Sequence, residues 1–243
     1  MRAALLVLFA ALGTCGCGGA GPQEAPPPAA SYAESGGGLQ TPAPEPSPAR
    51  FPLVVFFGDS LTAGYGLEES QAFPALLETQ LAATGTPIRA VNAGVSGDTS
   101  AGGVSRLSWL LKQHPDVLVV ELGANDAMRG QPPSATEANL RRIVETAKAQ
   151  GVRVLLVGML APPNYGPEFT RDFAAIYPRL SRQLDVPLVP FLLEGVAGRP
   201  ELNLADGIHP TPEGHAIIAR TLRPYLEQML LPESAATGAT ARP

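Results

Sequence analysis

Cysteine is almost absent from this chain of 243 residues, and the two present, Cys15 and Cys17, lie within its first twenty positions. Whatever folds beyond them has no disulfide to close it and no thiolate metal site. Histidine is equally scarce. His114, His209 and His215 are the only three, too dispersed to suggest a metal cluster, so neither a metal nor a cofactor is expected. Basic residues are outnumbered 17 to 22 by acidic ones, giving a net charge of −5. That balance removes the positive surface on which a nucleic-acid binder depends. None of the strands expected below is followed by G-x-G-x-x-G or a P-loop, which argues against a dinucleotide or phosphate cradle. Internal repeats and heptads are missing as well.

Apolar residues, by contrast, make up 45% of the chain and charged ones only 16%, enough for a sizeable core. The length suits a single α/β domain. The first fifty residues read as something else. Arg2 precedes an uncharged, mostly apolar stretch over 3–14, the pattern of an export signal and too short to span a bilayer comfortably. The signal, placed at 1–19, ends in Leu12-Gly13-Thr14-Cys15-Gly16-Cys17. This resembles a bacterial lipobox, with Cys15 or Cys17 as the residue to be lipidated. Simple cleavage and secretion is the alternative. Either way the expected address is outside the cytoplasm, in the cell envelope, as a periplasmic or membrane-anchored protein. Residues 20–50 are rich in Pro, Gly and Ala and read as a tether, while 232–243 read as a flexible tail.

From Phe51 onward, short apolar runs alternate with amphipathic stretches. Leu53–Phe57, Ile88–Asn92, Val117–Glu121, Val152–Met159 and Pro187–Pro190 lack polar alternation, as strands buried on both faces of a parallel sheet do. Ser134-Ala135-Thr136-Glu137 reads as a capping box, followed by the stripe Leu140, Ile143, Val144, Ala147 and a stop at Gly151. Thr211-Pro212 opens a last helix whose apolar face is Ile218, Leu222, Tyr225, Leu226 and Met229. The alternation predicts a three-layer α/β/α sandwich over 51–231. By analogy with flavodoxin-like folds, its five parallel strands are expected in the order 2-1-3-4-5.

Ligands of open parallel sheets bind at the carboxyl ends of the strands. The segments that follow the strands are Gly58-Asp59-Ser60-Leu61, Ala93–Thr99, Gly123-Ala124-Asn125-Asp126 and Pro162–Gly166, with Asp206-Gly207-Ile208-His209-Pro210 before the last helix. A serine needs a base, and the base a group to orient it. Ser60 and His209 fall on this edge, with Asp206 three residues before the histidine. His114 precedes Pro115 at the opposite edge, and His215 lies inside the last helix, where packing is the simpler role. The N–H groups of Ser60 and Gly97 and the Asn125 side-chain amide are candidate donors to a developing oxyanion. Asp59, Glu121 and Asp126 read as supporting groups, Asp126 as a possible holder of the Asn125 amide. Asn164 and Tyr165 are candidates for substrate binding, and Met128, Leu160 and Phe169 for either a pocket wall or core.

Gly58-Asp59-Ser60-Leu61, Gly97, Asn125 and Asp206-x-x-His209 together match the four sequence blocks of the SGNH (GDSL) hydrolases. The longer stretches Phe57–Gly66, Val91–Ser100, Glu121–Gly130, Asn164–Gly166 and Asp206–Pro210 resemble the bacterial arylesterase, thioesterase and lysophospholipase branch. The likeness covers about residues 51–231; the lipobox-like start and the Pro162-Pro163 pair depart from it. It implies a Ser60 nucleophile, a His209 base, an Asp206 orienter, and an oxyanion hole of Ser60, Gly97 and Asn125.

The expected function is therefore an extracytoplasmic serine esterase acting on short- to medium-chain acyl esters or lipids. It would be a monomer, touching the membrane only through an N-terminal anchor. A carbohydrate O-acetylesterase is the alternative within this chemistry, though Trp109 as sole tryptophan and five tyrosines give it little support. A non-catalytic ligand-binding lipoprotein is the alternative outside it.

Overall fold

The computed structural model describes residues 50–231. The expected export signal with Cys15 and Cys17, the expected tether up to residue 49 and the expected tail 232–243 lie outside the described residues.

In chain order the elements are β1 (Leu53–Gly58), α1 (Ser60–Ala63), α2 (Phe73–Ala83), β2 (Arg89–Asn92), α3 (Ser100–Leu111), β3 (Val117–Glu121), α4 (Ala124–Met128), α5 (Pro133–Ala149), β4 (Arg153–Val157), α6 (Pro167–Ala174), α7 (Ile176–Leu184), β5 (Leu188–Val189) and α8 (Pro212–Leu230). The five strands form one parallel sheet in the order β2-β1-β3-β4-β5. The crossover from β1 to β2 runs one way along the sheet and all later ones run the other way. Right-handed crossovers then put α2 on one face and α3, α5 and α7 on the other. The helix packing agrees: α2 meets α8, whereas α5 meets α3 and α7.

Strands β1 and β3 are buried along their whole length, with Phe56, Phe57, Leu118 and Val120 in the core. β2 departs from the expected two-faced burial. It is an edge strand, and Arg89–Asn92 are exposed or half-buried. β5 shrinks to two residues because Pro187 and Pro190 flank it and neither can donate to a ladder.

The capping box expected at Ser134 is not formed. α5 begins earlier, at Pro133, whose fixed φ suits the first helical position, so Ser134 already lies inside the helix. The Thr136 hydroxyl instead donates to Asp126 at 3.3 Å. Gly151, at φ +76°, does follow the end of α5, where an L side chain would be strained. Thr211 caps α8 by accepting the Gly214 N–H at 3.3 Å. His215 is buried: its Nδ1 accepts the Phe73 N–H at 3.2 Å and its ring stacks on Phe73. Burial pushes its pKa down to about 4, so it is a neutral packing group.

Candidate active site

β1 ends at Gly58, where a Cβ would lie 2.0 Å from the Thr62 hydroxyl and 2.5 Å from Glu121, so only glycine fits this turn. Asp59 then caps α1 by accepting the Leu61 N–H at 3.0 Å. This places Ser60 at the start of α1, at the carboxyl edge of the sheet. Across from it, the loop before α8 is closed by the antiparallel bridge between Asn203 and Pro210 and by the Leu204 N–H donating to the His209 carbonyl at 2.7 Å. Within that loop Asp206 Oδ1 accepts the N–H groups of Ile208 at 2.9 Å and His209 at 3.0 Å. The turn leaves Asp206 Oδ2 2.7 Å from His209 Nδ1, and His209 Nε2 2.9 Å from Ser60 Oγ. The Asp206 carboxyl is held down at about 2 by the His209 N–H, the His209 ring and the Ile208 N–H. It is therefore ionised across the neutral range. The Tyr65 ring lies against the imidazole, with centroids 4.4 Å apart.

Gly97 sits in the loop after β2 at φ +80°, and its carbonyl accepts from Arg129 at 2.8 Å. Arg106 ties this loop to the end of β1. Its guanidinium donates to Asp98 at 2.7 Å, to the Ala93 carbonyl at 2.7 Å and to the Gly58 carbonyl at 2.8 Å, over the Phe57 ring. The Asn125 amide donates to Asp59 Oδ2 at 3.0 Å, so Asp59 and not Asp126 orients it. Asp126 serves another purpose: it accepts the Ser100 N–H at 2.8 Å and hydroxyl at 2.5 Å, fixing the start of α3.

Beneath this loop lie two buried carboxyls. Glu121 Oε2 accepts the Thr62 hydroxyl at 2.7 Å and faces the Asp59 N–H at 3.4 Å, while its Oε1 has no partner. Burial, together with the neighbouring Asp59 charge, pushes Glu121 well above the usual carboxylate range. Burial likewise raises Asp59 from 3.8 to about 6, against the pull of Leu61 and Asn125. A carboxyl raised by folding contributes its full stability below the unfolded pKa and loses it as pH climbs through the folded one. For Asp59 the loss begins as pH rises past its ordinary value of 3.8 and is complete once pH has passed its raised folded value. Glu121 acts in the same direction. Glu121→Gln, which keeps the shape without a titrating proton, should match the parent in urea unfolding at pH 4 and exceed it at pH 8. A difference between the two proteins that does not grow with pH refutes this.

A cavity of about 210 Å³ opens beside Ser60, walled by Met128, Met159, Leu160, Leu193 and Ile208. Asn164, Tyr165 and Phe169 do not line it. The Tyr165 hydroxyl bonds instead to the Met128 carbonyl, and Phe169 stacks between Tyr165 and Phe173. A cleft of about 360 Å³ at the amino edge of β4 and β5, beside Lys148 and Arg153, is larger but far from these groups. Sequence reasoning missed the Asp59–Asn125 bond, the Arg106 clamp, the Tyr65 cover, and the walls supplied by Met159 and Leu193. Arg106 was within reach of it, as a cation on α3 eight residues after Asp98.

Residues 56–217 match the family model of the GDSL-like lipase/acylhydrolases. Esterase TesA of Pseudomonas aeruginosa is 44% identical over 179 residues, covering 73% of this chain and 88% of that protein. Thioesterase 1/protease 1/lysophospholipase L1 of Escherichia coli is 42% identical over 178 residues, covering 73% and 84%. Among solved structures, the SGNH-hydrolase family esterase AlinE4 is 41% identical with a TM-score of 0.64, covering 76% of this chain and all of that one.

Proposed function

Since this chain belongs to the GDSL-like lipase/acylhydrolase family, we propose that it is a serine esterase working through Ser60, His209 and Asp206. The observation that carries this reading is the unbroken relay of 2.9 Å and 2.7 Å contacts from Ser60 Oγ through the imidazole to Asp206. The names of the relatives, esterase, arylesterase and thioesterase/lysophospholipase, support acyl transfer to water as the reaction.

His209 Nε2 takes the Ser60 proton as Oγ attacks the acyl carbon. Ionised Asp206 fixes the tautomer and balances the imidazolium. The negative oxygen of the tetrahedral intermediate accepts from the N–H groups of Ser60 and Gly97 and from Asn125, whose amide has a second N–H besides the one given to Asp59. His209 then protonates the leaving alcohol or thiol. In the second half it activates water to release the acid. Residues 1–19, with Cys15 or Cys17 as a lipidation site, are proposed to export this activity to the cell envelope.

The cavity sets the acyl chain. At about 210 Å³, bounded by Met159, Leu160, Leu193 and Ile208, it takes a short- to medium-length chain in preference to a long one. In a p-nitrophenyl ester series from acetate to palmitate, kcat/KM should peak at a short to medium chain length and fall beyond. No turnover at any length overturns the esterase reading; a steady rise to palmitate overturns only the limit set by the cavity.

A further inference from the structure

Nine large apolar side chains stand out as exposed among the described residues, and six of them, Tyr65, Val95, Met128, Leu160, Tyr165 and Ile208, share one edge. They come from five different segments of the chain, Met128 from the end of α4 and the others from outside the α-helices, each at the carboxyl end of the sheet. The other three, Phe51, Trp109 and Leu231, are at the opposite end of the molecule, before β1 and at the finishing ends of α3 and α8. Each of the six is between 37% and 51% exposed. Scattered single residues of this kind need no explanation, but their convergence around one opening does.

Three of the six, Met128, Leu160 and Ile208, also wall the cavity beside Ser60, so apolar surface of the rim continues into the cavity. The two tyrosines add amphipathic rings of the kind that settle at the boundary between hydrocarbon and water. Charges on the same edge lean negative: Glu68, Glu69, Glu168 and Asp206 are exposed there, against Arg129 and Arg199. Such a rim is repelled by anionic headgroups and has no reason to avoid neutral ones. No helix among the described residues is long and apolar enough to cross a membrane, so the contact is with a surface.

We infer that this rim docks on a zwitterionic lipid surface, letting an acyl chain pass from the lipid into the cavity without crossing water. The inference rests on the reading of that cavity as an acyl site.

The test uses the full chain with Cys15→Ser and Cys17→Ser in every arm, so that no lipid anchor forms and any contribution of the N-terminus is common to all. Sedimentation with phosphatidylcholine vesicles is compared for this parent, Val95→Asp, Val95→Ser and Trp109→Ser. Val95→Ser should weaken partitioning about threefold and Val95→Asp about tenfold or more, with Trp109→Ser unchanged. Turnover of p-nitrophenyl hexanoate in free solution should be the same in all four, which also reports that the variants fold. The inference is overturned if the Val95 variants bind as the parent does, if Trp109→Ser weakens binding as much, or if binding requires phosphatidylglycerol in the vesicle. Loss of partitioning at Val95 without any hexanoate turnover in the parent would instead sink the esterase reading and leave the docking surface standing.

Discussion

Ser60→Ala is expected to lower kcat on a p-nitrophenyl ester by about 10⁴- to 10⁶-fold, with its urea midpoint close to that of the parent. The size of the effect follows from what the hydroxyl does. Without Oγ no acyl-enzyme forms, and the remaining donors and cavity assist only a direct attack by water. The fold should tolerate the change because the hydrogen-bond partner of Ser60 Oγ is the half-buried His209 Nε2 at 2.9 Å and no backbone group of another element. Rapid-mixing experiments sharpen the test. The parent should show a burst of p-nitrophenol if deacylation is the slower half, and the variant none. A variant retaining a tenth of the parental rate would remove Ser60 from the chemistry and bring a ligand-binding role forward.

Asn125→Ala carries the second largest expected loss, on the order of 100- to 1000-fold in kcat with KM little changed. A donor that meets the oxygen only when it becomes negative contributes to the transition state and not to ground-state binding. This variant should also lose stability, unlike Ser60→Ala, because the buried Asp59 gives up the 3.0 Å bond from the amide. The two readouts separate the roles: a loss of stability with unchanged kcat would make Asn125 a structural partner of Asp59 alone. Asp59→Asn offers a cross-check, since it presents a second amide to Asn125 and should disturb the same orientation.

Much of this molecule is legible in its sequence. Continuous apolar runs such as Val117–Glu121 mark strands covered on both faces, and the structure buries all five of those residues. The apolar runs Val152–Met159 and Pro187–Pro190 mark two further strands but extend beyond them, since β4 spans Arg153–Val157 and β5 only Leu188–Val189. Apolar composition reports burial, whereas strand limits depend on which N–H groups find partners, and the prolines beside β5 supply none. The expected order already puts β2 at the edge, yet its apolar run reads as buried on both faces: a sequence shows what a strand offers and not how far its neighbours cover it. At Ser134 a local motif was present but unused, because Pro133 starts α5 first. Asp59 beside Ser60 looked like a loop support in the sequence; that it grips Asn125, 66 residues away, depends on β1 and β3 being neighbours.

The sequence alone determined the α/β class, the strand order by analogy, and the membership of the reactive edge, because parallel strands carry their following loops to one side. Only the tertiary structure decided which of those loops touch. The 2.9 Å approach of His209 to Ser60 spans 149 residues and depends on the path of the chain between Ser60 and α8. The cavity wall was decided there too. Leu160 and Met128 face it while Phe169, half-buried, packs against the core, since three apolar side chains of similar hydrophobicity differ only in the neighbours that the packed chain gives them.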